Sequence, residues 1–122
     1  MQKTIKTIIR KIRVFLDGFT HTFQTDPYFV VLVIFAISIA FVSWIFSEYI
    51  NTIITIILIV NLIAFEAFNT AIEKICDLID SNHNDKIKII KDISAFAVGI
   101  VLITLILFLI YELFPIISLL AL

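Results

Sequence analysis

Residues 53–77 read IITIILIVNLIAFEAFNTAIEKICD, nearly unbroken aliphatic and aromatic sequence as far as Phe65 and then Glu66, Asn69, Glu73 and Asp77. At about 100° per residue these four polar positions fall within an arc of roughly 80° on one helix face. The apolar run before them rises roughly 20 Å, against a membrane core approximately 30 Å thick. Glu66 is therefore expected in the inner part of a bilayer and Glu73 near its surface. Ionised groups in hydrocarbon are costly, so such a stripe needs a hydrated cavity, a cation or partner side chains. It is either a site or an oligomer seam.

The whole chain agrees with a membrane setting. Its 122 residues are 61% hydrophobic and only 16% charged, where soluble domains run nearer 45–50% and about 25%. Three apolar stretches, 28–47, 52–71 and 95–114, match the roughly 20 residues a spanning helix needs. They lack the alternation of a β-barrel, so an all-α membrane protein is predicted. The chain 1–122 reads as one domain: an amphipathic interfacial helix within 1–26, then membrane helices at about 28–47, 52–80 and 92–114.

In residues 3–24, Ile5, Ile8, Ile9, Ile12, Phe15, Leu16, Phe19 and Phe23 share one side of a helix and most basic residues the other. Such a helix lies in the membrane interface, and it orients the chain or also meets anionic lipid or nucleotide phosphate. Gly18 costs about 1 kcal/mol there relative to Ala, which predicts a close contact or a bend. The spacing of Asp17 and His21 predicts a surface pair. Asp26-Pro27 has the chemistry of an N-cap and first helical residue, and that alone accounts for Asp26. Cys76, the single cysteine, excludes an internal disulfide and a Cys-rich metal site, and reads as a small apolar filler. No small-residue cleavage site follows a short apolar core, so no removable signal peptide is expected.

Lys3, Lys6, Arg10, Lys11 and Arg13 precede the first span, Lys74, Lys86, Lys88 and Lys91 lie between the second and third, and there are no others. By the positive-inside rule the N-terminus and loop 81–91 are cytoplasmic, and the turn 48–51 and the C-terminus lie outside a cell inner or plasma membrane. Trp44, Tyr49 and Tyr111 fall at the outer boundary, and Glu112 beside them is expected in solvent. The basic residues sort with membrane topology, so no nucleic-acid partner is expected. Ala95 and Gly99 form a small-x-x-x-small pair where backbones can approach. Across the polar turn at 81–85, Lys91 and Asp92 are expected opposite Glu73 and Asp77.

Glu66-Ala-Phe-Asn69-Thr-Ala-Ile-Glu73, Asp77 and the dipeptide Lys91-Asp92, eighteen residues beyond Glu73, resemble the prokaryotic diacylglycerol kinase and undecaprenol kinase family. Length, three spans, the amphipathic start and Gly18 extend the resemblance over essentially the whole chain. It implies a small membrane kinase that moves the γ-phosphoryl of ATP onto a lipid hydroxyl with Mg²⁺, working as a homotrimer with shared sites. It further implies Glu66 as general base, Glu73 and Asp26 as metal ligands, and Asn69, Glu73, Lys91 and Asp92 as nucleotide contacts, with Asp77 in support.

The residue types suit that chemistry on their own terms: phosphoryl transfer needs positioning and charge neutralisation, Mg²⁺ takes one or two carboxylates, and a lipid alcohol needs a base within reach. The family usually carries Glu at position 26, polar residues including an Arg where this chain has Val30, Val31 and Leu32, and acidic and His residues at Asn82 and Asn84. Two other readings of the stripe are a non-catalytic small oligomer and a proton or cation pathway. A pathway predicts polar or acidic residues on more than one span, and the first span, interrupted only by Ser38 and Ser43, carries no charge. The kinase reading is preferred, and diacylglycerol and undecaprenol both stay open as acceptors.

Overall fold

A computed structural model describes residues 2–80 and 84–120, with side chains for 4–80 and 84–115, and these residues are helical apart from the joins at 26, 47–48, 80 and 84. Four helices follow one another: α1 (Gln2–Thr25), α2 (Pro27–Phe46), α3 (Tyr49–Ile79) and α4 (Asp85–Leu120). Three of them, α2, α3 and Asp85–Pro115 of α4, are long and apolar enough to cross a membrane. The all-α, three-span expectation holds. Ser81, Asn82 and His83 of the expected polar turn lie outside the described residues.

The joins explain the antiparallel course. Asp26 is the N-cap of α2, accepting from the backbone N–H of Tyr28 and Phe29 on Oδ1 at 3.0 and 3.2 Å. At the other end of α2 the Ser47 N–H bonds to Ser43 O at 2.9 Å. Thr52 Oγ1 reaches back to the same carbonyl at 3.2 Å, closing the short link between Phe46 and Tyr49 into a reversal. Asn84 caps α4, its Oδ1 accepting from Lys86 N–H at 3.0 Å.

With 31 residues, α3 is about 46 Å long, more than the hydrocarbon thickness, so it extends beyond the membrane core. It packs against α4 most extensively and against α2 next, while α1 touches α2. The core these contacts enclose is thin: Ala36, Ile59, Leu62 and Leu105 are buried, with Leu32, Ile39, Leu58 and Val101 among the half-buried residues around them. Large apolar side chains elsewhere on the three spans, such as Phe35, Trp44, Ile57 and Ile103, stay exposed, as lipid-facing residues do.

Some expectations are corrected. Gly18 and Gly99 have nothing within 4 Å of where a Cβ would stand, so neither marks a close approach within this chain. No Asp17–His21 ion pair occurs among the described residues; the His21 carbonyl accepts from Thr25 Oγ1 instead. Glu112 is not simply solvated, because its Oε1 accepts from Ser43 Oγ at 3.1 Å and Thr55 Oγ1 at 3.2 Å. The reason is that α4 continues past it to Leu120, which keeps it against the other two spans.

Leu105 is 2% exposed at the centre of the core and Leu102 of the same helix is 40% exposed. Leu105→Ala is expected to cost about 2–4 kcal/mol through the cavity it leaves, and Leu102→Ala well under half of that. Unfolding of the detergent-solubilised variants in mixed micelles, followed by circular dichroism, measures the difference.

Candidate active site

The polar stripe of α3 ends up between the α1–α2 join and the start of α4. Asp26 contributes more than a cap, since its second oxygen, Oδ2, accepts from Thr70 Oγ1 at 2.9 Å across a sequence separation of 44. Next to it Lys74 Nζ donates to Thr25 Oγ1 at 2.9 Å. These two bonds tie the α1–α2 join to the last turns of α3. A cavity of about 450 Å³ opens there, and Asp26, Glu66, Asn69, Thr70, Glu73 and Asp77 all line it.

On the other flank α4 fixes the amide. Ser94 Oγ lies 2.6 Å from Asn69 Oδ1 and 3.0 Å from the Lys91 carbonyl. Its single proton serves one of these at a time, and the shorter contact is to Asn69. Asn69 Nδ2 then donates to Glu73 Oε1 at 3.2 Å. Asn69 and Ser94 are 8% and 9% exposed, so a buried relay from α4 orients the carboxylate of a residue that is itself exposed. Lys91 Nζ bonds to Asp77 Oδ1 at 2.6 Å, which joins α3 and α4 across the turn as expected. Asp92 instead pairs with Lys88 at 2.7 Å along its own helix, and both are exposed.

The arrangement brings Glu66, Glu73, Asp26, Asn69 and Asp77 to one cavity, sets Lys91 at its rim through Asp77, and leaves Asp92 outside the lining. Thr70, Lys74 and Ser94 belong to the site's framework, and neither Lys74 nor Ser94 carries a site signal of its own in the sequence. A faint one existed for Thr70, four residues after Glu66 and so on the same face.

No cluster of three or more His, Cys, Asp or Glu positioned to hold a metal occurs among the described residues. Mg²⁺ bound jointly with phosphate takes one or two protein carboxylates and completes its octahedron with phosphate and water oxygens. Glu73 and Asp26 are carboxylates of the right kind on the same cavity. A second, largely apolar cavity of about 540 Å³ lies between α1 and the spans, lined by Phe15, Gly18, Phe19, Phe29, Ala64 and Ala67 among others. Ala64 and Ala67 flank Glu66 in sequence, so the apolar cavity lies on the part of α3 that carries this carboxylate.

Fold and site together define a small multi-pass membrane protein with a carboxylate-lined cavity at the end of its helices that carries the basic residues. Residues 13–113 match the family model of prokaryotic diacylglycerol kinase, and the chain belongs to that family. No curated protein matches the sequence. The family is one of lipid kinases that use ATP as phosphate donor, usually with Mg²⁺.

Thr70→Val keeps the shape of the side chain and removes the donor to Asp26. Hydrogen bonds to charged groups are worth about 1.5–3 kcal/mol in water-soluble folds, but interhelical bonds in membranes average about 0.6 and reach about 1.7. A loss of about 1–2 kcal/mol is expected. In an Asp26→Ala background the same substitution is expected to cost little, and a double-mutant cycle on mixed-micelle unfolding checks the coupling.

Proposed function

We propose that this chain transfers the γ-phosphoryl group of Mg-ATP directly to the hydroxyl of a membrane lipid, diacylglycerol or undecaprenol. The observation that carries the reading is the convergence of Glu66, Glu73 and Asp26 on one cavity in a chain whose residues 13–113 match the family. Glu66 is the general base. Its carboxylate takes the hydroxyl proton as the lipid oxygen forms its bond to the γ-phosphorus and the bond to the ADP oxygen breaks. Glu73, held by the Asn69–Ser94 relay, and Asp26, held by Thr70 and the α2 cap, hold Mg²⁺, and that cation neutralises charge on the phosphates when bound. Asn69 and Lys91 orient the nucleotide. Asp77 supports the site by holding Lys91, and Asp92 contacts nucleotide only from the rim.

The lipid enters along the apolar cavity beside α1, which brings its hydroxyl to the level of Glu66. That helix lies in the membrane interface with Ile5, Ile8, Ile12 and Phe15 toward the acyl chains. The N-terminus and loop 81–91 face the cytosol, where ATP is, and the C-terminus lies outside. The exposure of Glu73 and Asp77 in a single chain supports a homotrimer, in which a neighbouring copy closes each cavity and sites are shared.

Glu66→Gln is expected to lower turnover by about 10²–10⁴-fold, the usual contribution of a general base, with the oligomer unchanged by size-exclusion chromatography. Labelled ATP and Mg²⁺ supplied with diacylglycerol and undecaprenol in parallel measure it and identify the acceptor. An unaffected rate removes the base assignment, and incorporation into neither lipid by the wild type removes the kinase reading. Asp26→Asn retains an acceptor for Thr70 but loses the charge, so the Mg²⁺ concentration at half-maximal rate is expected to rise. If that concentration stays where it is, Asp26 is a cap and a helix tie only.

A further inference from the structure

Glu112 stands at the end of the bundle opposite the Glu66 cavity, and its chemistry is unanswered within the chain. Its Oε1 accepts from Ser43 Oγ of α2 and Thr55 Oγ1 of α3, and Thr55 is 0% exposed. Both donors are neutral. All nine Lys and Arg residues lie at 3–13 and 74–91, around the other end, so no basic side chain of this chain is available to Glu112. A parallel copy adds none, since it carries its cations at the same level. A carboxylate that carries its charge at this level finds no counter-charge within the protein, so a cation that meets it is external.

The surroundings specify its form. A groove of about 290 Å³ runs between α2 and α4 with Glu112 and the hydroxyls of Ser38, Ser43 and Ser47 as polar lining and Phe35, Ile39, Val42, Phe46 and Leu109 among its apolar walls. These walls belong to membrane-spanning segments, so what approaches Glu112 along them carries hydrocarbon. The volume is at the lower end of ligand pockets, which suits one chain. A bare hard cation is a poor match, because it takes six or more oxygen ligands and this groove offers a single carboxylate. A primary ammonium is a compact point charge whose three donors match carboxylate lone pairs.

We propose that the α2–α4 groove binds an amphiphile with a primary ammonium headgroup, a membrane lipid of that headgroup class, with its chain along Val42 and Leu109 and its ammonium on Glu112. The site is separate from the kinase cavity and does not depend on the kinase reading.

The test uses the full chain in neutral maltoside micelles, with dodecylammonium, dodecanol and ethylammonium as probes and native mass spectrometry as the readout. Dodecylammonium is expected to bind saturably and at least about tenfold more tightly than dodecanol, the value of one charge-assisted hydrogen bond. Glu112→Gln removes that advantage, and Val42→Trp, which fills the groove, removes the advantage of dodecylammonium over ethylammonium. Equal binding of ammonium and alcohol by the wild type overturns the proposal, as does an unchanged Glu112→Gln. Ethylammonium binding as tightly as dodecylammonium also overturns it, leaving a simple ion site. If Glu112→Gln fails to fold, the headgroup comparison on the wild type and the Val42→Trp result decide.

Discussion

A polar side chain on a membrane-spanning helix has no water to fall back on, and that constraint sorts most hydroxyls and amides of the three spans and several of their carboxylates. Some bond to their own preceding turn, as Ser38, Asn61 and Thr104 do, and these need nothing from a neighbour. Others meet another helix at one of two levels. At the first, Asp26 accepts from Thr70, Ser94 from α4 holds Asn69, and Lys91 pairs with Asp77. At the second, Ser43 and Thr55 converge on Glu112. Along α3 the two levels, Thr55 and Thr70, stand about 22 Å apart, with Ile59 and Leu62 buried between them. No fully buried side-chain nitrogen or oxygen among the described residues lacks a partner.

Two polar levels do what a thin apolar core cannot. Aliphatic packing between helices in lipid has no hydrophobic drive to set register, since the surrounding chains are as apolar as the residues. A hydrogen bond at each end of α3 does set it, because sliding α2 or α4 by one turn would break both. The levels differ in charge, however. Carboxylates and lysines are mixed where α3 ends and α4 begins, whereas the Glu112 level has hydroxyls and an acid but no cation. The mixed end has the charges of both signs that the proposed nucleotide and metal call for, and the Glu112 end offers no cation to an anionic ligand.

The three spans were legible in the sequence because hydrocarbon imposes a length and a composition that few other settings require. The Glu66, Asn69, Glu73 stripe was legible for a related reason: polar residues at helical period in an apolar run have no neutral explanation as lipid-facing surface. What could not be read was which helix answers them. Asp26 announces an N-cap through the Pro27 that follows, but its bond to Thr70 is a tertiary contact that no local pattern encodes. Ser94 looks like Ser38, and hydroxyls in helices commonly bond to their own turn; only the approach of α3 separates the two. Lys91 and Asp92 are adjacent in sequence yet about 100° apart on a helix, so one faces α3 and the other pairs along α4 with Lys88. Glu112 lies near the end of the apolar stretch and so reads as solvated, but the helix does not stop there.

The position of Asp26 has a mechanical consequence. Thr25 ends α1 and Pro27 begins α2, so one residue is the whole link between them, with its N–H bonded back to Thr22 O at 2.9 Å and its carboxylate divided between the α2 cap and Thr70. A link this short passes on motion: if α1 rises or tilts at the membrane surface, Asp26 moves relative to Glu73 unless the Thr70 bond gives way. Phe19, whose ring meets Phe29 edge-on at 6.2 Å, reinforces the coupling by packing α1 onto the first turn of α2. The same helix walls the apolar cavity beside Glu66. The proposed lipid path and the proposed metal site therefore share one element, α1, which walls the apolar cavity and runs directly into the Asp26 link.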